Sequence, residues 1–248
     1  MDLSPSGRTA IAVLVAAALG GVGLVVGTAL VLVAVLVTSV LGVELDPVLF
    51  IVVSLILVQG VGFGSVALGY LGYRGLGIDF VGVRVPSARD VVAVVLGYVT
   101  AFGAAIGGAL VVAATGVQAG TNQAAEFGFE HPETLLVLIP ASFLLIGPGE
   151  ELLFRGIVQR RIRERLDPVP GVVVASALFA AVHFVALSGG TGARLVSITL
   201  LFFPSLVFGT VYELTDNIVV PALVHGAYNA TLFGLLYAAI QFGATAPA

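Results

Sequence analysis

Cysteine and tryptophan are absent from this 248-residue chain, and all 10 of its basic residues are arginine. Without cysteine there is no disulfide, no thiolate nucleophile and no cysteine-ligated metal site. Charge is also scarce, at 10% of residues against about 25% in a soluble domain. The formal net charge of −4 leaves no basic face, which argues against a nucleic-acid partner. What fills the chain instead is apolar: 59% hydrophobic residues and 32 glycines. That balance describes an integral membrane protein in contact with lipid.

A spanning helix needs about 20 apolar residues, and about seven segments of that kind follow one another. They run approximately Ala10–Leu41, Pro47–Tyr73, Asp90–Gly116, Thr134–Val158, Val169–Leu187, Leu195–Tyr212 and Ile218–Phe242. The first is far longer than the core of a signal peptide, so it reads as a retained span. No long polar linker divides them. The expected fold class is therefore all-α, a polytopic membrane helical bundle forming one domain over 1–248. Within it, 10–130 holds N-terminal spans to which no motif assigns a role, and 134–242 holds the polar motifs. Gly60/Gly64 and Gly103/Gly107 have the small-xxx-small spacing that predicts close helix approach.

Arginine placement gives an orientation. Arg8 precedes the first span, Arg74, Arg84 and Arg89 separate the second from the third, and Arg160, Arg161, Arg163 and Arg165 follow the fourth. The alternate loops carry Glu44, Asp46, Glu126, Glu130 and Glu133. The positive-inside rule then predicts a cytosolic N-terminus and an external C-terminus, with only Arg194 against the pattern.

Glu150 and Glu151 are the anomaly. A charge at bilayer depth costs roughly 2.5–3.5 kcal/mol on insertion scales, so two adjacent acids need a reason. Pro140 and the run Gly147-Pro148-Gly149 predict a kink or break, with a helix restarting just before Glu150 and running to Leu166. Acids at a fresh helix start gain from exposed amides. Arg155 lies four residues after Glu151 and can pair with it, while Glu150 points about 100° away. Other polar groups at depth are His183, His225 and Asn229, the last two spaced i, i+4 on one helical face. At a helical rise of ~1.5 Å, Glu151 lies roughly 14 Å from Arg160, His183 roughly 21 Å from Val169, and His225 roughly 13 Å from Asp216. Three spans thus bring polar groups to a similar level in a ~30 Å core, in the cytosolic half or near the midplane.

A glutamate, two histidines and an asparagine walled off by hydrocarbon suit hydrolysis. The carboxylate serves as general base, the imidazoles share proton work, bind a metal or donate to an oxyanion, and the asparagine amide is an oxyanion donor. The motifs Glu150-Glu151-Leu-Leu-Phe-Arg155, Phe179-Ala-Ala-Val-His183 and His225-Gly-Ala-Tyr-Asn229, in this order, resemble the CPBP (Abi) family of intramembrane proteases. That family includes the type 2 CAAX prenyl endopeptidases. The resemblance implies that Glu150 and His183 activate water, and that His225 and Asn229 stabilise the oxyanion or join a metal site. It further implies that Glu151, Arg155 and Phe179 shape the site. A divalent ion such as zinc, held by Glu150, His183 and His225, and a metal-free glutamate route both stay open. The implied partner is a membrane-associated or lipidated protein substrate, with the site opening towards the cytosol.

Simpler readings stand beside these. Glu151 with Arg155 is also what a structural ion pair looks like, and Phe179 is what a packing partner of His183 looks like. His131 reads as a loop residue, Glu213 and Asp216 as part of a turn near the membrane, and the arginines after the fourth span as topology signals or contacts to anionic lipid. An ion-coupled transporter would also carry intramembrane Glu, His and Arg on a broken helix. A non-catalytic scaffold or immunity protein of the same fold is the remaining alternative.

Overall fold

The computed structural model describes residues 4–243, and among them every regular element but one isolated β-bridge is helical. Seven helices are long and apolar enough to cross a membrane. They are α1 (Pro5–Val40), α2 (Pro47–Tyr73), α3 (Ala88–Thr115), α5 (Glu133–Arg163), α6 (Pro168–Ala186, its last turn tightened from His183), α7 (Thr191–Thr215) and α8 (Val219–Gln241). A short helix, α4 (Gln123–Glu130), joins α3 to α5. The expected spans are all present, with ends moved by a few residues. Local chemistry sets several starts. Asp46 Oδ1 accepts from Leu49 N–H ahead of Pro47, Ser87 and Asp90 form a reciprocal capping box, and Asn122 Oδ1 accepts from Ala124 N–H.

The broken helix is not observed. α5 runs without interruption through Pro140 and Gly147-Pro148-Gly149. Two stretches of widened π-helical turns, Ser142–Ile146 and Leu152–Gln159, flank the glutamates and re-route the backbone hydrogen bonds that the prolines cannot make. The glycines of that run serve close approach. A Cβ on Gly147 would lie 2.6 Å from the Ala222 carbonyl oxygen of α8, and one on Gly149 would lie 2.5 Å from the Gln59 carbonyl oxygen of α2. Because the helix never restarts, exposed amides do not offset the charge of Glu150 and Glu151. Side chains do.

The expected glycine contacts are also relocated. Gly60, Gly64, Gly103 and Gly107 face open space, so their spacing does not mark a contact within the chain. Close packing falls instead on the small residues Ala12, Ala16, Gly20, Gly23 and Gly27, which form the buried stripe of α1. A Cβ on Gly27 would reach 2.8 Å from Val58 Cα, and one on Gly62 would reach 2.7 Å from Gly27 Cα. α1 and α2 therefore touch backbone to backbone.

The arginine-rich end is braced by contacts between a loop and the helix ends. The α2–α3 connection folds inward as a single turn, Ile78–Val81, whose Val81 is fully buried. Tyr212 donates to the Val81 carbonyl over 3.1 Å, and Ile218 N–H donates to the Gly82 carbonyl over 3.2 Å. Gly82 has φ +72°, and a Cβ there would collide with the Asp216 carbonyl, so only glycine fits. Three of the four arginines read as topology signals are in ion pairs within the chain: Arg160 with Asp216, Arg161 with Glu164, and Arg163 with Glu213. Glu213 and Asp216 are thereby explained as their partners. His131 caps α4, lying against the Phe127 ring and 3.7 Å from Glu133.

Candidate active site

Helices α2, α5, α6 and α8 bring their polar side chains to one place. The α5–α8 crossing makes this possible. A Cβ on Gly226 would lie 2.7 Å from the Phe143 ring and 2.9 Å from the Ser142 carbonyl, so backbones meet beside His225. The neighbouring His225 is then delivered to both glutamates.

Glu151 is fully satisfied. Its Oε2 accepts from Arg155 Nε over 2.9 Å, and its Oε1 lies 2.8 Å from His225 Nδ1. The side chains of Glu151 and Arg155 are both 0% exposed. Arg155 Nη2 donates to Ser205 Oγ of α7 over 2.9 Å, and the guanidinium stacks 4.9 Å from the centre of the Phe179 ring. Ser176 and Ser205 are tied to each other's carbonyls, which anchors α6 to α7 behind the pair. Phe179 is thus a wall for Arg155 and for both imidazoles, at 4.6 Å from His183 and 5.8 Å from His225. Phe208 stacks on His225 from the other side at 4.7 Å.

Glu150 is only half satisfied. Its Oε1 accepts from Gln59 Nε2 of α2 over 2.9 Å. Its Oε2 is buried, has no hydrogen-bond partner among the described residues, and lies 3.7 Å from His183 Nε2 and 3.8 Å from His225 Nε2. The tautomers follow from the other ring nitrogens. His183 Nδ1 sits 2.7 Å from the Phe179 carbonyl, which can only accept, so Nδ1 carries the proton and Nε2 offers a lone pair. His225 Nδ1 faces the Glu151 carboxylate, so it too carries the proton, and Nε2 accepts from Asn229 Nδ2 at 3.1 Å. Carboxylate Oε2 and His183 Nε2 are then two acceptors held apart at a distance that one water can bridge by donating to both.

The residues singled out from the sequence, Glu150, Glu151, Arg155, Phe179, His183, His225 and Asn229, are all brought together. The Glu151–Arg155 pairing is as the spacing predicts. Two connections are new: Glu151 to His225, and Glu150 to Gln59. Gln59 was overlooked, although an amide inside the apolar run of α2 is itself a signal, being a polar group with no partner on its own helix. Side-chain exposure rises from 5% at His225 and 9% at Glu150 to 20% at His183. The accessible edge is at His183.

A divalent metal would have to draw on Glu150, His183 and His225. Among the described residues no set of three His, Asp or Glu side chains takes an arrangement that could hold one. The contact that competes is at His225 Nε2, which accepts from Asn229 Nδ2, whereas Nδ1–H donated to Glu151 is compatible with a ligand. With His225 Nε2 engaged by Asn229, the cluster as arranged offers two free donors, Glu150 Oε2 and His183 Nε2, and no step below is routed through a metal.

A seven-span helical membrane protein with a Glu-Glu/His/His-Asn cluster buried between four helices is the class that fold and site define. Residues 132–231, which span the whole cluster except Gln59, match the family model "Type II CAAX prenyl endopeptidase Rce1-like". This part of the chain is similar to that family, in agreement with the resemblance drawn from the three motifs. The chain is also similar to the uncharacterized protein YpbD of Bacillus subtilis (strain 168), at 38% identity over 91 residues. That match takes in 35% of this chain and 39% of YpbD, so the chain spans well under two thirds of the relative's length. No solved structure matches.

Proposed function

We propose that the chain is an intramembrane endopeptidase that hydrolyses a peptide bond in a membrane-associated protein of the prenylated CAAX type. The observation that carries this reading is the isolated Glu150 Oε2, facing the lone pair of His183 Nε2 across 3.7 Å. A water donating to both would present its own lone pair to a carbonyl carbon. As it attacks, its proton passes to Glu150 Oε2 and the carbonyl oxygen becomes an oxyanion. Asn229 spends one amide N–H on His225 and has a second for that oxyanion. When the C–N bond breaks, Glu150 returns the proton to the departing amine, leaving a carboxylic acid and a free amine, and the acid then gives its proton to the amine, so the products are a carboxylate and an ammonium group. His225 positions Asn229, and Glu151 with Arg155 fixes the tautomer and tilt of His225. The low dielectric of the site strengthens each of these contacts. The domain division follows: 134–242 is the catalytic core, and the N-terminal spans support it. By the arginine bias, the N-terminus faces the cytosol and the C-terminus lies outside.

The test is cleavage of a fluorogenic farnesylated CAAX peptide by the detergent-purified protein, with release of the C-terminal tripeptide followed by mass spectrometry. The reading expects one cut, incorporation of oxygen from labelled water into the new carboxylate, and loss of both in Glu150→Gln. Undiminished cutting by Glu150→Gln would overturn it.

A further inference from the structure

We infer that Gln59 is the contribution of α2 to the site: its amide nitrogen fixes Glu150, and its amide oxygen accepts a backbone N–H of the substrate. This rests on the proteolytic reading above and adds a substrate contact to it. Gln59 lies outside the Rce1-like region at 132–231, in the part of the chain to which the motifs assign nothing.

Four observations converge on this side chain. First, Gln59 Nε2 donates to Glu150 Oε1 over 2.9 Å. An ionised carboxylate only accepts, so the amide must turn its nitrogen to Glu150, which leaves Oε1 as a pure acceptor. Holding Glu150 Oε1 this way directs the other oxygen, Oε2, at the two histidines. Second, Gln59 Oε1 is buried and has no hydrogen-bond partner among the described residues. A buried, unmatched carbonyl-type oxygen is costly, and of the cluster's unmet groups, Gln59 Oε1, Glu150 Oε2 and Arg155 Nη1, the first two are on residues of one hydrogen-bonded pair.

Third, the backbone around Gln59 is built to hold one position. It lies within the widened turns Ile56–Phe63 of α2, a geometry that recurs at functional sites. Its own carbonyl presses on Gly149, directly before Glu150, closely enough that a Cβ there would come to 2.5 Å. On the other side, Val58 and Gly62 are clamped by Gly27 of α1. Fourth, a peptide substrate brings an N–H at every residue other than proline, whereas Glu150, His183 and Asn229 are committed to the water and the carbonyl. A protease that holds its substrate by the backbone needs an acceptor, and Gln59 Oε1 is an uncommitted one beside the base. The two N-terminal spans thereby acquire a role, to set this amide against Glu150.

The test pairs an enzyme variant with a modified substrate. Peptides in which one backbone N–H at a time, from two residues before the cut to two after it, is replaced by N-methyl or an ester oxygen are offered to the wild type, Gln59→Leu and Gln59→Met. The inference expects one position where the replacement lowers kcat/KM about tenfold in the wild type, as loss of a single hydrogen bond does, with no further loss in either variant. It also expects Gln59→Leu to raise KM as well as lower kcat, because contact and positioning are lost together. Gln59→Met, similar in size and also without the amide, behaves as Gln59→Leu if chemistry rather than packing is at stake. If the same replacement costs both variants what it costs the wild type, or if Gln59→Leu cleaves with wild-type kcat and KM, the inference fails. The water-activation reading stands or falls separately, on Glu150→Gln.

Discussion

The two faces of α5 at Glu150 and Glu151 have the same residue type and opposite surroundings. On the Glu151 face every carboxylate oxygen is matched, by Arg155 and His225, and the whole group is sealed from solvent. On the Glu150 face one oxygen is held by Gln59, and the other is left pointing between two imidazoles without a hydrogen-bond partner among the described residues. A saturated buried acid stabilises and orients, and an unsaturated one is available to react. Adjacency in sequence, at about 100° per residue, is what lets one helix do both.

Breaking the two faces separately should give different signatures. The largest effect is expected from Glu150→Gln, which keeps size and hydrogen bonding but removes the base. Turnover should fall about 10²–10⁴-fold, the span typical of losing a general base, with thermal stability in detergent unchanged within error. Arg155→Met should act the other way, by leaving Glu151 as an uncompensated buried charge. A loss of about 3–5 kcal/mol of stability is expected, seen as a large drop in the melting temperature by scanning fluorimetry. Next in size is Gly62→Ala, which forces a Cβ to 2.7 Å from Gly27 Cα and should cost about 1–3 kcal/mol by overpacking. Gly60→Ala, two residues away and facing open space, should be near neutral in the same assay. The smallest effect belongs to Glu213→Gln at the arginine-rich end. Its pair with Arg163 is partly exposed, and its removal should shift stability by no more than about 1 kcal/mol and leave cleavage intact.

Much of this was legible beforehand. The seven spans follow from hydropathy, because a lipid-facing helix must be apolar over its whole length. The convergence of Glu150, His183 and His225 follows from depth along three helices, and the Glu151–Arg155 pair from i, i+4 spacing. What was not legible depends on partners far apart in sequence or on backbone detail. Gln59 is 91 residues from Glu150, and no spacing rule connects them. Gly147-Pro148-Gly149 reads locally as a break, yet its glycines are contact points for α8 and α2, and wide turns absorb the proline. Gly60/Gly64 and Gly103/Gly107 have the spacing of a helix contact without making one, whereas Gly23 and Gly27 make it. Which face of a helix meets a neighbour is a tertiary fact. The bracing of the arginine-rich end likewise depends on a loop turning inward at Val81, held by Tyr212 and the start of α8.

The central claim is that Glu150 is the base and Glu151 the scaffold. Its most direct measurement sets Glu150→Gln and Glu151→Gln side by side for peptide turnover and melting temperature in one detergent. The account predicts that Glu150→Gln melts with the wild type and does not cleave, while Glu151→Gln melts markedly lower. Wild-type cleavage by Glu150→Gln, or a Glu151→Gln protein as stable as the wild type, would contradict it.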